Sequence, residues 1–127
     1  MSGRKRSLSR ILVVDDEELV LRVLVSILQH GGYMASGVPS VGAARWAVSR
    51  NSYDMAFVDV KLAGEDGPAL AAELRGQGIL TCLLSGDPME QDAAGWSADE
   101  FLAKPVHPDI LIAKADTLLG VGGNGAP

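Results

Sequence analysis

Five short apolar runs, separated by stretches of helical period, constrain this chain more than any other feature. Ile11 to Val14 is apolar throughout and β-branched at three of its four positions, which reads as a strand buried on both faces. From Glu17 the period changes: Val20, Val23, Leu24, Ile27 and Leu28 recur at helical spacing, and Gly31 with Gly32 stops the helix. Tyr33 to Val38 reads as a second strand. Pro39 and Ser40 then open a helix with Val41, Ala44, Trp46, Ala47 and Val48 as its apolar set, and Trp46 is expected to be half-buried. Met55 to Val58 is the third strand. Gly67 and Pro68 open a helix through Arg75, because proline's missing N–H costs nothing in a first turn, and Gly76 and Gly78 end it. Ile79 to Leu84 is the fourth strand, closing on Ser85 and Gly86, and a short helix over Met89 to Trp96 follows. The fifth strand, Glu100 to Ala103, ends at Lys104 and Pro105; a last helix runs from Pro108 to Leu119, with His107 at its cap position and Gly120 at its stop. Short apolar strands alternating with helices imply an α/β domain, a five-stranded parallel sheet covered on both faces with right-handed crossovers.

A chain of 127 residues has room for one such core and not for two. The expected layout is a flexible basic arm over residues 1–8 (Arg4, Lys5, Arg6), the domain over 9–120, and a Gly-rich linker or tail over 121–127. No apolar run approaches the roughly 18 residues of a membrane span, and no signal-peptide core follows the basic start. The single cysteine, Cys82, sits inside ILTCLL as a small core residue. A cytoplasmic location fits best. A net charge of −5 argues against direct nucleic-acid binding by the domain.

The chemistry gathers where the strands end. Asp15 and Asp16 follow the first strand, Asp59 the third, Ser85 the fourth and Lys104 the fifth, all at C-terminal ends, the edge at which open α/β sheets carry their sites. Carboxylates crowded on one rim repel, by on the order of 4 kcal/mol for a pair 4 Å apart at an effective dielectric near 20. A divalent cation removes that conflict. Asp15, Asp16 and Asp59 with a backbone carbonyl suit Mg2+, and without a His or Cys cluster zinc is disfavoured.

These segments, ILVVDDEE, FVDVKLAGEDG, LLSG and FLAKP in this order, resemble a two-component response-regulator receiver domain of the chemotaxis-regulator type over residues 9 to 120. The resemblance implies a flavodoxin-like, doubly wound (βα)5 fold. It also implies that Asp59 is the phosphoacceptor, taking the group from a phosphohistidine of a sensor histidine kinase or phosphotransfer protein. Asp16 and Asp59 would bind magnesium directly, Asp15 through water, and the Lys61 carbonyl would add a ligand. Ser85 and Lys104 would hold phosphoryl oxygens, with Ser85 and Phe101 as the switch pair, and the Lys104–Pro105 peptide would be cis. Lys61 and Asp87, each two positions beyond a site residue, would modulate the lifetime of the phosphorylated state. Such a module assists its own phosphorylation and is not a turnover enzyme on a separate substrate.

Two other functions compete with this one. A pseudo-receiver of the same fold would bind partners without phosphorylation. An aspartyl-phosphate phosphatase would need a second Asp two residues after the nucleophile, where this chain has Lys61.

Departures from the family pattern carry their own expectations. Ala63 stands where proline is common, leaving the acceptor loop less stiff. Ser97 occupies a position where a left-handed glycine is usual, and is expected to bear the strain. Ser85 to Lys104 spans 19 positions, about three fewer than usual, so the fourth helix should be shortened by about one turn. An incomplete output face of this kind is expected to leave the domain monomeric.

Overall fold

The computed structural model of the protein describes residues 4–87 and 96–122. Each apolar run forms a strand: β1 (Arg10–Val14), β2 (Met34–Val38), β3 (Met55–Asp59), β6 (Leu80–Ser85) and β7 (Glu100–Ala103). Two further strands, β4 (Lys61–Leu62) and β5 (Glu65–Asp66), form an antiparallel hairpin of their own. The main sheet is parallel throughout, in the order β2-β1-β3-β6-β7. From β1 the chain winds first outward to β2 and then back to β3 on the other side. A crevice therefore opens between the C-terminal ends of β1 and β3, the two strands that end in acid.

Alternation along the strands divides the core in two. Ile11, Val13, Met55, Phe57, Cys82 and Leu84 pack with Leu24 and Leu28 of α1 (Glu18–His30) and Leu111 and Ala115 of α4 (Pro108–Leu119). Leu12, Val14, Ala56, Val58 and Leu83 face Ala44 and Ala47 of α2 (Val41–Arg50) and Leu70, Ala71 and Leu74 of α3 (Gly67–Gly76). The helices start on side-chain caps: Ser40 accepts from Ala43 N–H, Asp66 from Ala69 N–H and His107 from Asp109 N–H, each supplying one of the orphaned donors of a first turn. Gly120, at φ 68°, closes α4 in the left-handed conformation that glycine adopts without steric cost. The Lys104–Pro105 peptide is cis, as the resemblance implies.

Four features differ from the sequence reading or lie beyond it. Trp46 is 62% exposed rather than half-buried. The buried stripe of α2 runs through Ala44 and Ala47, and a position two residues from Ala44 is turned about 200° away from it; the Arg50 guanidinium covers the indole instead, 5.0 Å from its centroid. Ser97 does not have a left-handed backbone: no non-glycine residue has positive φ among the described residues, and the Ser97 hydroxyl accepts a bond from Arg75 Nη1 at 3.1 Å.

Residues 4–8, expected within a flexible arm, form a largely exposed strap that contains a turn of 3-10 helix, Arg6–Leu8, and is tied to the domain by polar contacts. Arg6 makes a bidentate contact with Asp116 (Nε to Oδ1 3.0 Å, Nη2 to Oδ2 2.6 Å) and donates to the Gly31 carbonyl at 3.0 Å. Tyr33 donates its hydroxyl to the same Asp116, at 2.5 Å. Arg4 pairs with Asp54 at 2.8 Å and forms a parallel bridge with Val121. The short fourth helix expected over Met89 to Trp96 lies outside the described residues except for Trp96, which is in an irregular segment.

Candidate functional site

Asp59 is the last residue of β3, held in register against Leu84 of β6, so its side chain is delivered to the crevice by the most buried strand of the sheet. Asp15, immediately after β1, is fully buried, and Asp59 is 5% exposed. Two adjacent buried carboxylates would be prohibitive without a counter-charge. Lys104 supplies it. Its backbone N–H is pinned to the Ser85 carbonyl at 2.8 Å, and its Nζ lies 3.0 Å from Asp15 Oδ2 and 2.9 Å from Asp59 Oδ2. Burial pushes the Asp59 carboxyl above its usual range, Lys104 opposes that shift, and the Asp15 charge adds to it. For Lys104 burial acts downward, but the two carboxylates outweigh it and hold the ammonium above its ordinary value.

Of the other expected residues, Lys61 touches this triad through Asp59, Ser85 through the Lys104 backbone, and Asp16 and Phe101 are engaged elsewhere. Lys61 donates its backbone N–H to Asp59 Oδ1 at 3.2 Å, while its side chain is exposed. Ser85, 1% exposed, donates its hydroxyl to the Asp87 carbonyl at 2.8 Å and accepts from Asp87 N–H at 3.2 Å, so the two residues form one small turn at the end of β6. Asp16 is turned toward the loop after β3, where its Oδ2 accepts from Ala63 N–H at 2.9 Å. The compact carboxylate group is therefore Asp15, Glu17 and Asp59, whose oxygens lie within 4.8 Å of one another. Phe101, in β7 opposite Leu83, stacks on Trp96 with centroids 6.3 Å apart and planes 28° from parallel. An apolar groove of about 740 Å³ opens beside Asp59 and Lys104, walled by Leu19 and Val23 of α1 and by Val106.

Two residues that shape the site carried only a weak sequence signal. A Cβ on Gly67 would sit 1.9 Å from the Asp59 carbonyl oxygen and 2.8 Å from that of Val60, so α3 starts against the backbone of Asp59 itself. The sequence marks Gly67 merely as a helix start. Glu17 follows the Asp pair directly, in the loop that the Asp15 carboxylate closes by accepting Glu17 N–H at 2.9 Å.

The donors at this edge are all oxygen, and one ammonium faces two buried carboxylates. That combination fits a hard divalent cation, which takes carboxylates and carbonyls and leaves negative charge uncrowded.

The response regulator receiver domain family matches residues 11–116. The two-component response regulator PhoP of Pseudomonas aeruginosa is 36% identical over 117 residues, which cover 87% of this chain and 51% of that protein. The transcriptional regulatory protein GltR of the same organism is 31% identical over 126 residues, 94% of this chain and 51% of its own length. The chain thus spans about half the length of these two relatives. A CheY-like receiver domain from Methanospirillum hungatei superposes with a TM-score of 0.81 at 27% identity, covering 90% of this chain and 95% of that one. TrrA of Thermotoga maritima, solved in complex with Mg2+ and BeF, gives 0.79 at 30% identity, covering 88% of this chain and all (100%) of its own. The matched span contains both acidic strand ends, the serine turn and the lysine that bridges the carboxylates, and the flavodoxin-like sheet order agrees with it. The chain belongs to the response-regulator receiver domain family, whose members act in two-component signalling.

Proposed function

We propose that this receiver takes a phosphoryl group onto Asp59 from the phosphohistidine of a sensor histidine kinase or phosphotransfer protein, and that the adduct switches a protein-binding surface. The observation that carries the reading is the placement of Lys104, whose Nζ contacts both buried carboxylates at the mouth of the groove. An Asp59 carboxylate oxygen attacks phosphorus as the P–N bond breaks, and the electron pair leaves with the imidazole. Phosphoryl transfer needs positioning and positive charge on the equatorial oxygens more than covalent help. Lys104 is already within reach of that charge, and Ser85 would accept the role of hydroxyl donor by leaving its turn with Asp87. That exchange is the switch, with Phe101 following. Asp15, Asp16, Asp59 and the Lys61 carbonyl would hold Mg2+, which when bound supplies further positive charge to the transferring group.

The apolar wall of Leu19, Val23 and Val106 beside the acceptor suits an apolar face of the donor protein, which would exclude water during transfer. We take residues 9–120 as the receiver unit, with 121–127 as a linker, acting in the cytoplasm as a monomeric signalling module rather than a turnover enzyme. No helix among the described residues is long and apolar enough to cross a membrane. The downstream partner or fused effector follows from whatever the full protein carries.

Labelling from acetyl phosphate with Mg2+ tests the reading. Asp59→Asn is expected to abolish incorporation, and wild-type labelling in that variant would refute the assignment. Saturating Mg2+ should also raise the melting temperature, by the equivalent of about 2.7 kcal/mol at a hundredfold excess over Kd.

A further inference from the structure

We infer that Trp96 is a positioning residue for the switch: its indole holds Phe101 in the resting arrangement and so sets how readily the domain adopts its phosphorylated one; this rests on the exchange at Ser85, with Phe101 following, proposed above. The two rings are stacked, with centroids 6.3 Å apart and planes 28° from parallel, inside the range of about 4.5–7 Å over which aromatic pairs attract beyond their burial. Both are half-buried and pack on the same side of the sheet, against the cluster that contains Val58, Leu62 and Leu83. Phe101 stands opposite Leu83 in β7, two residues before the pairing of Ala103 with Ser85, so a movement at Ser85 reaches it along one short stretch of strand.

Trp96 is the fixed member of the pair. The residues just after it are tied to α3 and to the start of β6: Arg75 donates from Nη1 to the Ser97 hydroxyl at 3.1 Å and from Nε to Asp99 Oδ1 at 3.2 Å, Thr81 N–H donates to Asp99 Oδ2 at 2.8 Å, and Asp99 N–H returns a bond to the Thr81 carbonyl at 3.0 Å. The indole also borders the hollow lined by Lys61, Leu62 and Pro68, which places it between β7 and the loop after Asp59. Phe101 therefore cannot follow Ser85 without parting from a ring that stays behind. A contact made in only one of two arrangements shifts the balance between them by its own worth, and here the contact belongs to the resting one.

A stack of this kind corresponds to roughly a fivefold bias. Beryllofluoride, a mimic of the phosphoryl group, is titrated by calorimetry into the full chain in saturating Mg2+. Trp96→Leu, apolar but without a ring, is expected to bind the mimic about fivefold more tightly, whereas a merely structural role for Trp96 would make the variant bind more weakly. Trp96→Phe should stay within about twofold of wild type, because it restores a ring, and Trp46→Leu, on the outer face of α2, should leave the affinity unchanged. Affinity of Trp96→Leu that is unchanged or weaker would overturn the inference, as would an equal gain in Trp96→Phe or in Trp46→Leu. In the Trp46→Leu chain Trp96 is the sole tryptophan, and its emission should change with the mimic as Phe101 leaves it; unchanged emission would overturn the inference even where Trp96→Leu does not fold. Those failures leave the receiver reading intact. Absence of beryllofluoride binding by the wild-type chain in Mg2+ would sink that reading and this inference with it.

Discussion

Gly67→Ala should be the most damaging single methyl group that can be added to this protein. The new Cβ would lie 1.9 Å from the Asp59 carbonyl oxygen and 2.9 Å from the Asp59 carbonyl carbon, against a practical floor of 3.0 Å for such contacts. Backbone, not a rotatable side chain, is in the way, so either the start of α3 or the end of β3 must retreat by about 1 Å. Overpacking of this kind costs about 1–3 kcal/mol. The Gly67 N–H to Val60 carbonyl bond, 3.3 Å long, would be lost in the same movement, adding about 1 kcal/mol. The expected loss is therefore about 2–4 kcal/mol, or a melting temperature lower by on the order of 10 °C for a domain of this size. The effect on chemistry should exceed the effect on folding. A displacement of about 1 Å at a reacting group is worth about 100-fold in rate, so Gly67→Ala that is still folded at low temperature should label from acetyl phosphate about two orders of magnitude more slowly. Thermal melts and initial labelling rates at 10 °C measure both. A variant that melts within 1 °C of wild type and labels at the same rate would show that the β3–α3 junction is soft, and the steric argument would fail.

Three further outcomes are expected. Lys61→Ala should change the rate of autodephosphorylation severalfold, because the exposed Lys61 lines the groove that opens beside Asp59; decay identical to wild type would show that it plays no part. Arg6→Ala should cost about 1 kcal/mol, a modest figure because the Arg6 side chain is 38% exposed. Although burial alone would raise it, the Asp116 carboxyl is held below its ordinary value by the Arg6 and Tyr33 bonds, so this contribution is present above the usual carboxylate pKa and is lost as pH falls through the depressed one. Denaturant titrations between pH 3 and 7 should show a shallower acid slope in the variant. With beryllofluoride and Mg2+ the protein should keep a monomer mass in light scattering at micromolar concentration, and a shift to dimer mass would contradict the incomplete output face.

Most of the fold is legible because the central parallel strands announce themselves as unbroken apolar runs, and the candidate site because four of the five strands stop at a polar or charged residue on the same edge. Local signals fail where the determining partner is remote or where an apolar ring masks the helical phase. Arg6 looks like a solvated charge until Asp116, 110 residues away, is beside it. Gly67 reads as a helix opening, since nothing in its neighbours tells that the Asp59 carbonyl will press against it. The β4–β5 hairpin, two residues a side, has no period to detect, and of its four residues only Leu62 is buried. Trp46, by contrast, was readable: counting from Ala44 and Ala47 puts it on the outer face of α2, and the apolar character of its ring obscured that phase. Glu17 carries little signal of its own, because the two aspartates before it already account for the acidic end of the first run.

The strap of residues 4–8 gives the domain an unusual mechanical character. Arg4 and Val121 lie side by side in parallel, with Arg4 N–H bonded to the Gly120 carbonyl at 3.1 Å and Arg6 clamped on Asp116 one turn earlier. A pull exerted between residues 4 and 121 in opposite directions runs along these paired segments. It loads the bridge, the Arg6 clamp and the Arg4–Asp54 pair together in shear, whereas an antiparallel pairing would let them peel one at a time. Tension passed through this receiver from a neighbouring segment would thus be borne at the underside of the sheet, at the opposite end of the strands from Asp59, leaving the acceptor edge unstrained.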